Sequence, residues 1–176
     1  FGYVGRTIIG KGFDVVVGLY EAVLEDNELA SLQVVGGHLS KTEYNNINLK
    51  FKEYHNINWE SSVERNKLYH YYKDFNILIF PSRFQESLGL VVLEAMANMC
   101  IVIMSPQDSY KEILNGSEAV FFTNSNNIKS FLETFNKIKK ISNINMQEKL
   151  NNSYLTSSKF RNSVVKKQLI SAIKKV

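Results

Sequence analysis

Two glutamates, Glu86 and Glu94, stand eight positions apart in the stretch QESLGLVVLEAMA, which is otherwise largely apolar. A carboxylate among hydrocarbon side chains is costly unless a partner meets it. Ligand hydroxyl groups would be such a partner, because they donate hydrogen bonds to a carboxylate. The alternative is that Glu94 caps a neighbouring segment of backbone. These two residues alone leave both interpretations open.

The same stretch predicts a helix from Ser87 to Asn98, with Ser87 as its N-cap. The amides of Leu88, Gly89 and Leu90 would then be among the donors left free, at the positive end of the helix dipole. Such a helix start is suited to an anion, and glycine lets a ligand approach the backbone closely.

The helical period places the two glutamates near one opening. Glu94 follows Ser87 by seven residues, which returns it to within about 20° of the same helix face. We therefore expect Glu86 at the rim of a site and Glu94 nearly two turns below it.

A second loop adds positive charge. In YVGRTIIGKGFD, Arg6 follows an apparent strand and Lys11 precedes an apparent helix. Arginine offers a planar fork for phosphate oxygens, and lysine a compact point charge. Two solvated loop cations are the plain alternative. Cations, free helix amides and two carboxylates in one place would fit a diphosphate joined to two polyhydroxyl groups, which is a sugar nucleotide.

Short apolar runs and helical patterns must position these groups. Strands are expected at the following stretches: Tyr3-Val4, SLQVVGG, Asn56 to Trp59, NILIF, IVIM and AVFF. Helices are expected between them and after them: Phe13 to Leu24, one within Ser40 to Tyr54, Val63 to Tyr72, Ser87 to Asn98, Ser109 to Leu114, Ile128 to Ile141 and Lys159 to Lys175. The segment after Ile141 looks irregular.

Alternation of strand and helix, with continuously apolar strands, predicts an α/β fold with a Rossmann-like parallel sheet covered by helices on both faces. Ligands bind such sheets at the carboxyl ends of the strands. The loops that carry Arg6, Lys11 and Glu86 should open at that edge.

Composition bounds the answer further. The chain has 176 residues, 44% of them hydrophobic, and apolar runs far shorter than the ~20 residues of a membrane span. Its lone cysteine, Cys100, is expected to be a small buried hydrophobe in a reducing compartment, and the three histidines show no metal-ligand spacing. The first residue is Phe1, and FGYV is typical of a strand, so we expect a piece of a longer protein.

Positive charge is concentrated near the end of the chain. From Lys137 onward there are ten basic residues and one acidic residue, Glu148. Such a tail suits anionic lipid or simply a solvated face, and we favour the solvated face. Only Tyr154 and Phe160 lie among these cations, too few aromatic residues for a nucleic-acid stacking platform.

The motifs GR…KGFD, LQVVGG, ILIFPSRFQESLGLVVLEAMA and EIL…G, in this order, resemble the C-terminal donor-binding half of a GT-B retaining glycosyltransferase of the family 4 type. The resemblance spans about Phe1 to Phe122, and its most specific element is the pair Glu86 and Glu94. It implies a GT-B fold whose residues 1–156 bind the donor, with a C-terminal helix at 157–176 and an N-terminal acceptor domain outside this chain.

The resemblance also implies roles. Arg6 and Lys11 would hold the diphosphate and stabilise the leaving nucleotide, helped by the amides of Leu88 to Leu90. Glu86 would contact the transferred sugar, and Glu94 would accept hydrogen bonds from the ribose hydroxyls. Transfer would proceed with retention and without a metal or other cofactor. The enzyme would belong to polysaccharide biosynthesis, free in the cytoplasm or associated with a membrane, and its acceptor would be a glycan or a lipid-linked glycan. The chain by itself is expected to be inactive.

The sequence departs from the family pattern at three places. Met99 stands where the family has glycine, Ile101 where it has proline, and Asp108-Ser109 where it has Gly-Gly ahead of Glu112. The last loop normally lies near the donor, so a sugar-nucleotide-binding module without turnover is the alternative function. A dehydrogenase is disfavoured because no dinucleotide fingerprint is present, and pyridoxal-phosphate-dependent phosphorylase chemistry has no specific signal.

Overall fold

The structure is a computed structural model of the chain, and it describes residues 1–26, 29–37, 56–61, 63–86 and 89–173. Six parallel strands form one sheet in the order β3-β2-β1-β4-β5-β6. Their bounds are Gly2–Val4 (β1), Leu32–Val35 (β2), Ile57–Glu60 (β3), Ile77–Phe80 (β4), Ile101–Met104 (β5) and Val120–Phe122 (β6). The predicted α/β class and parallel sheet are confirmed.

Helices cover both faces of the sheet. Their bounds are Phe13–Glu25 (α1), Leu68–Asp74 (α2), Leu90–Ala97 (α3), Ser109–Ile113 (α4), Ile128–Ile138 (α5), Asn143–Ser158 (α6) and Asn162–Ile173 (α7), with 3-10 turns at Ile9–Lys11 and Arg65–Lys67. Strand β4 shows why its sequence is apolar throughout. Ile77 and Ile79 pack in the cluster under α1 and α5, whereas Leu78 and Phe80 pack in the cluster under α2, α3 and α4.

Three predictions about the helices differ from the structure or lie outside the described residues. The helix predicted within Ser40 to Tyr54 lies outside the described residues. Ser87 and Leu88 lie outside them too, but helix α3 begins at Leu90 with Gly89 as its N-cap, so the prediction that Ser87 caps this helix was wrong. The segment after Ile141 was predicted to be irregular, and it is the sixteen-residue helix α6.

Helix α6 was not predicted because its buried face is polar. Ser153, Thr156 and Ser157 are buried on it, so no apolar stripe marks the helical period. Two of these hydroxyl groups have partners in the protein: Ser153 Oγ accepts from the Ala119 amide at 2.8 Å, and Ser157 Oγ donates to the Tyr154 carbonyl at 2.7 Å. The helix packs directly against α3, which carries Glu94.

Two of the departures from the family pattern lie in the turn from α3 to β5. Met99 has a φ of 61°, in the left-handed region that favours glycine, and its amide donates to the Met96 carbonyl as α3 ends. The Ile101 amide donates to the Asn76 carbonyl at 3.0 Å, a bond that proline could not make. Both departures therefore lie in the turn that leads into β5, away from the loops at the carboxyl edge of the sheet.

The sheet has a switch point between β1 and β4. These two strands are neighbours, but the strands that follow β1 along the chain add on one side of the sheet and those that follow β4 add on the other. The loops after β1 and β4 consequently diverge and leave a crevice, which is where open α/β sheets bind their ligands.

An arginine staple joins these two loops. The Arg83 amide, after β4, donates to the Gly10 carbonyl, after β1, at 2.9 Å. The Arg83 guanidinium binds both carboxylate oxygens of Asp14, at 2.6 and 2.8 Å, and also donates to the Ile9 carbonyl. Gly12 has a φ of 72°, and a side chain there would overlap the Pro81 carbonyl. The two loops therefore touch through their main chains.

Replacement of Ser153 by alanine should lower the free energy of unfolding by about 1–3 kcal/mol, since the buried Ala119 amide would lose its acceptor. Urea unfolding measures this change. Ser158→Ala is the matched control, because Ser158 lies on the same helix and donates only to the Leu155 carbonyl near the surface; its effect should stay within about 0.5 kcal/mol. Equal losses in the two variants would contradict the assigned role of Ser153.

The Arg83–Asp14 staple predicts a pH dependence. The hydrogen bond from Arg83 holds the pKa of Asp14 below its ordinary value of 3.8. A depressed pKa stabilises the fold above the unfolded-state pKa, and this contribution is lost as the pH falls through the folded-state pKa. Asp14→Asn should therefore cost about 0.2–1 kcal/mol near neutral pH, a range that allows for the half-exposed carboxylate, and less as the pH falls below about 3.8.

The double-mutant cycle supplies the control for this measurement. In an Arg83→Ala background, Asp14→Asn should have little effect at any pH, because its partner is already gone. A pH-independent cost of Asp14→Asn in the wild-type background would show that the carboxylate acts through something other than this ion pair.

Candidate functional site

A cavity of about 490 Å³ lies at the switch point, between the loops after β1 and β4 and the start of α3. We call it the switch-point cavity. Its lining residues are Tyr3, Val4, Gly5, Lys11, Phe80, Ser82, Glu86, Gly89, Leu90 and Val91. Four of the residues predicted for the site thus line the same cavity: Lys11, Glu86, Gly89 and Leu90.

Lys11 and Glu86 form an ion pair across the cavity. Lys11 ends the 3-10 turn Ile9–Lys11, and the left-handed Gly12 turns the chain from there into α1. The same Glu86 oxygen, Oε1, also accepts from the Ser82 hydroxyl at 2.9 Å. Both charged side chains are 21% exposed, so the pair is partly desolvated yet open to a ligand. A ligand anion would compete with Glu86 for Lys11.

The loop after β5 holds the main chain of Glu86. Gln107 Oε1 accepts from the Glu86 amide at 3.2 Å, and Gln107 Nε2 donates to the carbonyls of Ser82 and Phe84. The Ser109 hydroxyl donates to the Glu86 carbonyl at 3.0 Å. Sequence reasoning missed Gln107, because a loop glutamine carries no signal. It did mark Ser109, as one of the departures from the family pattern, and of those departures this one touches the site.

The start of α3 presents two amides to the cavity. Gly89 is the N-cap, with φ 50° and ψ 54°, and its carbonyl accepts from the amides of Val92 and Leu93 at 2.8 and 3.2 Å. Among the described residues, none accepts from the amides of Leu90 or Val91. Two donors at the positive end of a helix suit an anion, and Val91 was not predicted among them. The Leu88 amide lies outside the described residues.

Gly89 is required here for a second reason. A side chain at this position would overlap the ring of Tyr110, which is fully buried beneath it. Burial and the nearby Glu86 charge raise the pKa of Tyr110 well above its ordinary value. The neutral phenol therefore supports the turn into α3 without adding charge to the cavity.

Glu94 has partners of its own, away from the cavity lining. Its Oε2 accepts from the Tyr72 hydroxyl at 2.9 Å, and its Oε1 lies 3.4 Å from the Arg65 guanidinium. The carboxylate is 30% exposed, so it is less buried than the sequence suggested. Burial, followed by the Glu94 charge, raises the pKa of Tyr72 far above its ordinary value, so Tyr72 stays a hydrogen-bond donor.

The helical-period argument for the two glutamates was therefore wrong in its premise. It counted from Ser87 along a continuous helix, but the left-handed Gly89 breaks that period before α3 begins. Glu86 projects from a loop that is held by β5, and Glu94 from the helix itself. Among the described residues, Arg65 alone contacts Glu94 Oε1, at the long distance of 3.4 Å, which leaves room for a further donor.

Arg6 lies beside the cavity. Its side chain is exposed, and no described residue forms an ion pair with it. The Tyr3 hydroxyl donates to the Arg6 carbonyl, a bond that fixes the main chain of the loop and does not involve the guanidinium. Burial raises the pKa of Tyr3, and the proximity of Arg6 opposes this rise, so the cation is near a residue that lines the cavity.

Other predicted features have plain structural roles. Trp59 donates to the Gly36 carbonyl at 2.9 Å and packs on Phe13 at 5.9 Å between ring centroids. The side chain of Glu112 lies outside the described part of the chain. Within the described residues, no group of three or more His, Cys, Asp and Glu side chains could hold a metal ion, and no helix is long and apolar enough to cross a membrane.

Solved structures share this fold. HepE of Anabaena, in complex with UDP and glucose, superposes with a TM-score of 0.79 at 13% identity, over 99% of this chain and 48% of that chain. Sucrose-phosphate synthase of Thermosynechococcus elongatus gives a TM-score of 0.77 at 21% identity, over 99% and 44%. The C-terminal domain of LpcC, a group 1 glycosyl transferase of Francisella tularensis, gives 0.74 at 18% identity, over 91% and 85%.

This chain spans about half of the length of each of the first two structures. No curated protein matches the sequence. The family model for glycosyl transferases group 1 matches residues 1–154, which is most of the chain. The sheet of this chain is the Rossmann-like sheet of GT-B glycosyltransferase C-terminal domains. The chain belongs to the glycosyl transferases group 1 family.

Proposed function

We propose that the chain is the donor-binding half of a retaining glycosyltransferase of the family 4 type, and that it takes its sugar from a nucleoside diphosphate sugar. The observation that carries this proposal is the switch-point cavity, which is lined both by Lys11 and by the start of α3, where the Leu90 and Val91 amides have no acceptor among the described residues. HepE, which shares the fold, was crystallised with UDP-glucose, and this likeness supports the same ligand class here.

The diphosphate would lie between Lys11 and the amides of Leu90 and Val91. Negative charge grows on the leaving diphosphate as the glycosidic bond breaks, and fixed cations and dipoles aimed at that charge are a strong catalytic contribution. Lys11 would exchange Glu86 for phosphate as the donor enters. Arg6 would turn its exposed guanidinium toward the same phosphates, since arginine binds phosphate with two parallel hydrogen bonds.

Glu86 would then face the transferred sugar. Its Oε1 retains the Ser82 hydroxyl as a donor, and no described residue donates to Oε2. The side chains of Gln107 and Ser109 bind the main chain of Glu86, which positions this carboxylate. Transfer would proceed with retention of the anomeric configuration and without a required metal or other cofactor.

Glu94 would accept hydrogen bonds from the ribose hydroxyls. Tyr72 fixes one carboxylate oxygen, which pre-orients the other, and Arg65 is 71% exposed and only loosely engaged. The carboxylate lies on the helix whose start would hold the phosphates. One helix would thus contact two parts of the same nucleotide.

The acceptor would bind an N-terminal domain outside this chain, with residues 1–156 as the donor domain and 157–176 as a C-terminal helix. We propose a glycan or lipid-linked glycan as the acceptor and polysaccharide biosynthesis in the cytoplasm as the setting, with peripheral membrane contact through the basic tail. The specific observation for the second candidate, a module that binds sugar nucleotides without turnover, is Asp108-Ser109 in place of Gly-Gly beside Glu86.

The two members of the Lys11–Glu86 pair should have opposite effects on nucleotide binding. Lys11→Ala should weaken binding of the nucleoside diphosphate by about tenfold to a hundredfold, the range of one charge-assisted hydrogen bond. Glu86→Gln should leave binding of the free diphosphate unchanged or strengthen it, because it removes a competitor for Lys11. Calorimetry measures both, with UDP, GDP or ADP chosen by a thermal-shift screen, and added salt should weaken the wild-type affinity.

Lys149→Ala is the matched control. Lys149 pairs with Glu118 at 3.1 Å and is 31% exposed, but it belongs to helix α6, outside the cavity. It should leave the affinity unchanged. If none of the three nucleotides binds, or if Lys11→Ala and Lys149→Ala behave alike, the diphosphate assignment fails.

Glu94 should distinguish ribose from its deoxygenated form. The wild type should prefer a ribonucleoside diphosphate to its 2′,3′-dideoxy analogue, and Glu94→Gln should lose most of this preference, since hydrogen bonds to a charged acceptor are worth roughly 1.5–3 kcal/mol. Calorimetry with the two ligands gives the ratio of affinities. Glu118→Gln, which alters another partly exposed carboxylate in an ion pair, here with Lys149, should keep the wild-type ratio. A Glu94→Gln ratio equal to that of the wild type would leave Glu94 with its structural role alone.

A further inference from the structure

A second cavity lies on the other side of the segment that carries Glu86. It has a volume of about 440 Å³ and opens among the loops after β4, β5 and β6. We call it the outer cavity. Ser82 lines both cavities, so the segment from Ser82 to Glu86 is the wall between them. A molecule in the outer cavity would therefore lie directly beside one in the switch-point cavity.

Phe84 forms an aromatic surface at the rim of the outer cavity. Its ring lies on Gly10, where an added side chain would overlap it, and Lys11 Nζ is 5.6 Å from its centroid. The ring is nevertheless 46% exposed. A fixed, half-exposed aromatic ring in a polar cavity gives a ligand a large contact area at little entropic cost.

The charged groups of the outer cavity are already paired. Arg83 is bound by Asp14, and Asp108 lies 2.6 Å from Lys111. No uncompensated cation among the described lining residues would attract a phosphate. The Gln85 side chain is exposed and has no described hydrogen-bond partner, and Asn126 Oδ1 is buried without one, so uncharged amides are available to recognise a ligand. This combination of an aromatic face and an uncharged amide suits a neutral polyhydroxyl molecule.

We infer that the outer cavity is a saccharide subsite, which binds the sugar of the acceptor beside the donor. This inference rests on the proposed function, because a transferase must bring an acceptor hydroxyl next to the sugar that Glu86 would face. The apolar face of the acceptor sugar packs on Phe84, and its hydroxyls bind Gln85. The donor domain thereby contributes to acceptor recognition, which the proposed N-terminal domain would otherwise supply alone.

Saturation-transfer NMR on this chain tests the inference with glucose, galactose, mannose, N-acetylglucosamine and maltose as probes, each with and without UDP. At least one saccharide should show transfer that persists when UDP is present. In Phe84→Ala its affinity should fall about tenfold, which corresponds to about 1.4 kcal/mol. The Gln85→Ala substitution should also weaken the binding of the same saccharide.

Tyr69→Ala is the matched control, because Tyr69 is 45% exposed and has Lys73 5.1 Å from its ring centroid, but lies on α2. It should bind as the wild type does. The inference is overturned if no saccharide binds, if UDP displaces the saccharide, or if Phe84→Ala and Tyr69→Ala give the same result. Calorimetric binding of UDP is measured in parallel, so loss of the proposed donor function is seen separately from loss of this subsite.

Discussion

The architecture of the site depends on contacts between the loops after β1 and β4, because the order of the strands directs these two loops to opposite sides of the sheet. At the switch point, the chain leaves β1 toward one side of the sheet and β4 toward the other, and a crevice opens between them. Arg83 joins the two loops by binding Asp14 and the main chain of the facing loop. This contact helps to hold the loops that carry Lys11 and Glu86 beside each other.

The Lys11–Glu86 pair gives the crevice its electrostatic character. A buried, unpaired cation would be costly, and a fully buried ion pair would be inaccessible. At 21% exposure for each side chain, the pair satisfies both charges in the absence of a ligand and can still exchange partners. The amides of Leu90 and Val91, for which the described part of the chain holds no acceptor, add positive potential without a further charged side chain. Such a site favours a multivalent anion, which can bind the lysine and the helix start at the same time.

Much of the fold follows from the sequence, because period and composition determine it locally. The apolar strand Ile77–Phe80 and the alternating helices predict a parallel sheet that is buried on both faces, and Cys100 is fully buried as expected, with burial raising the pKa of its thiol to about 12. Helix α6 could not be predicted in this way, since serine and threonine form its buried face. The Arg83–Asp14 staple and the Gln107 clamp join loops that are far apart in sequence, and only the order of the strands brings them together. The left-handed Gly89 interrupts the helical period between Glu86 and Glu94, and the sequence alone does not determine this local conformation.

The central claim is that the switch-point cavity receives a nucleoside diphosphate by partner exchange at Lys11. A crystal structure of the chain with UDP, or with whichever nucleotide the thermal-shift screen selects, tests it most directly. The account predicts the diphosphate within hydrogen-bonding distance of Lys11 Nζ and of the Leu90 and Val91 amides, with Lys11 separated from Glu86. A nucleotide bound elsewhere, with the Lys11–Glu86 ion pair intact, would contradict it.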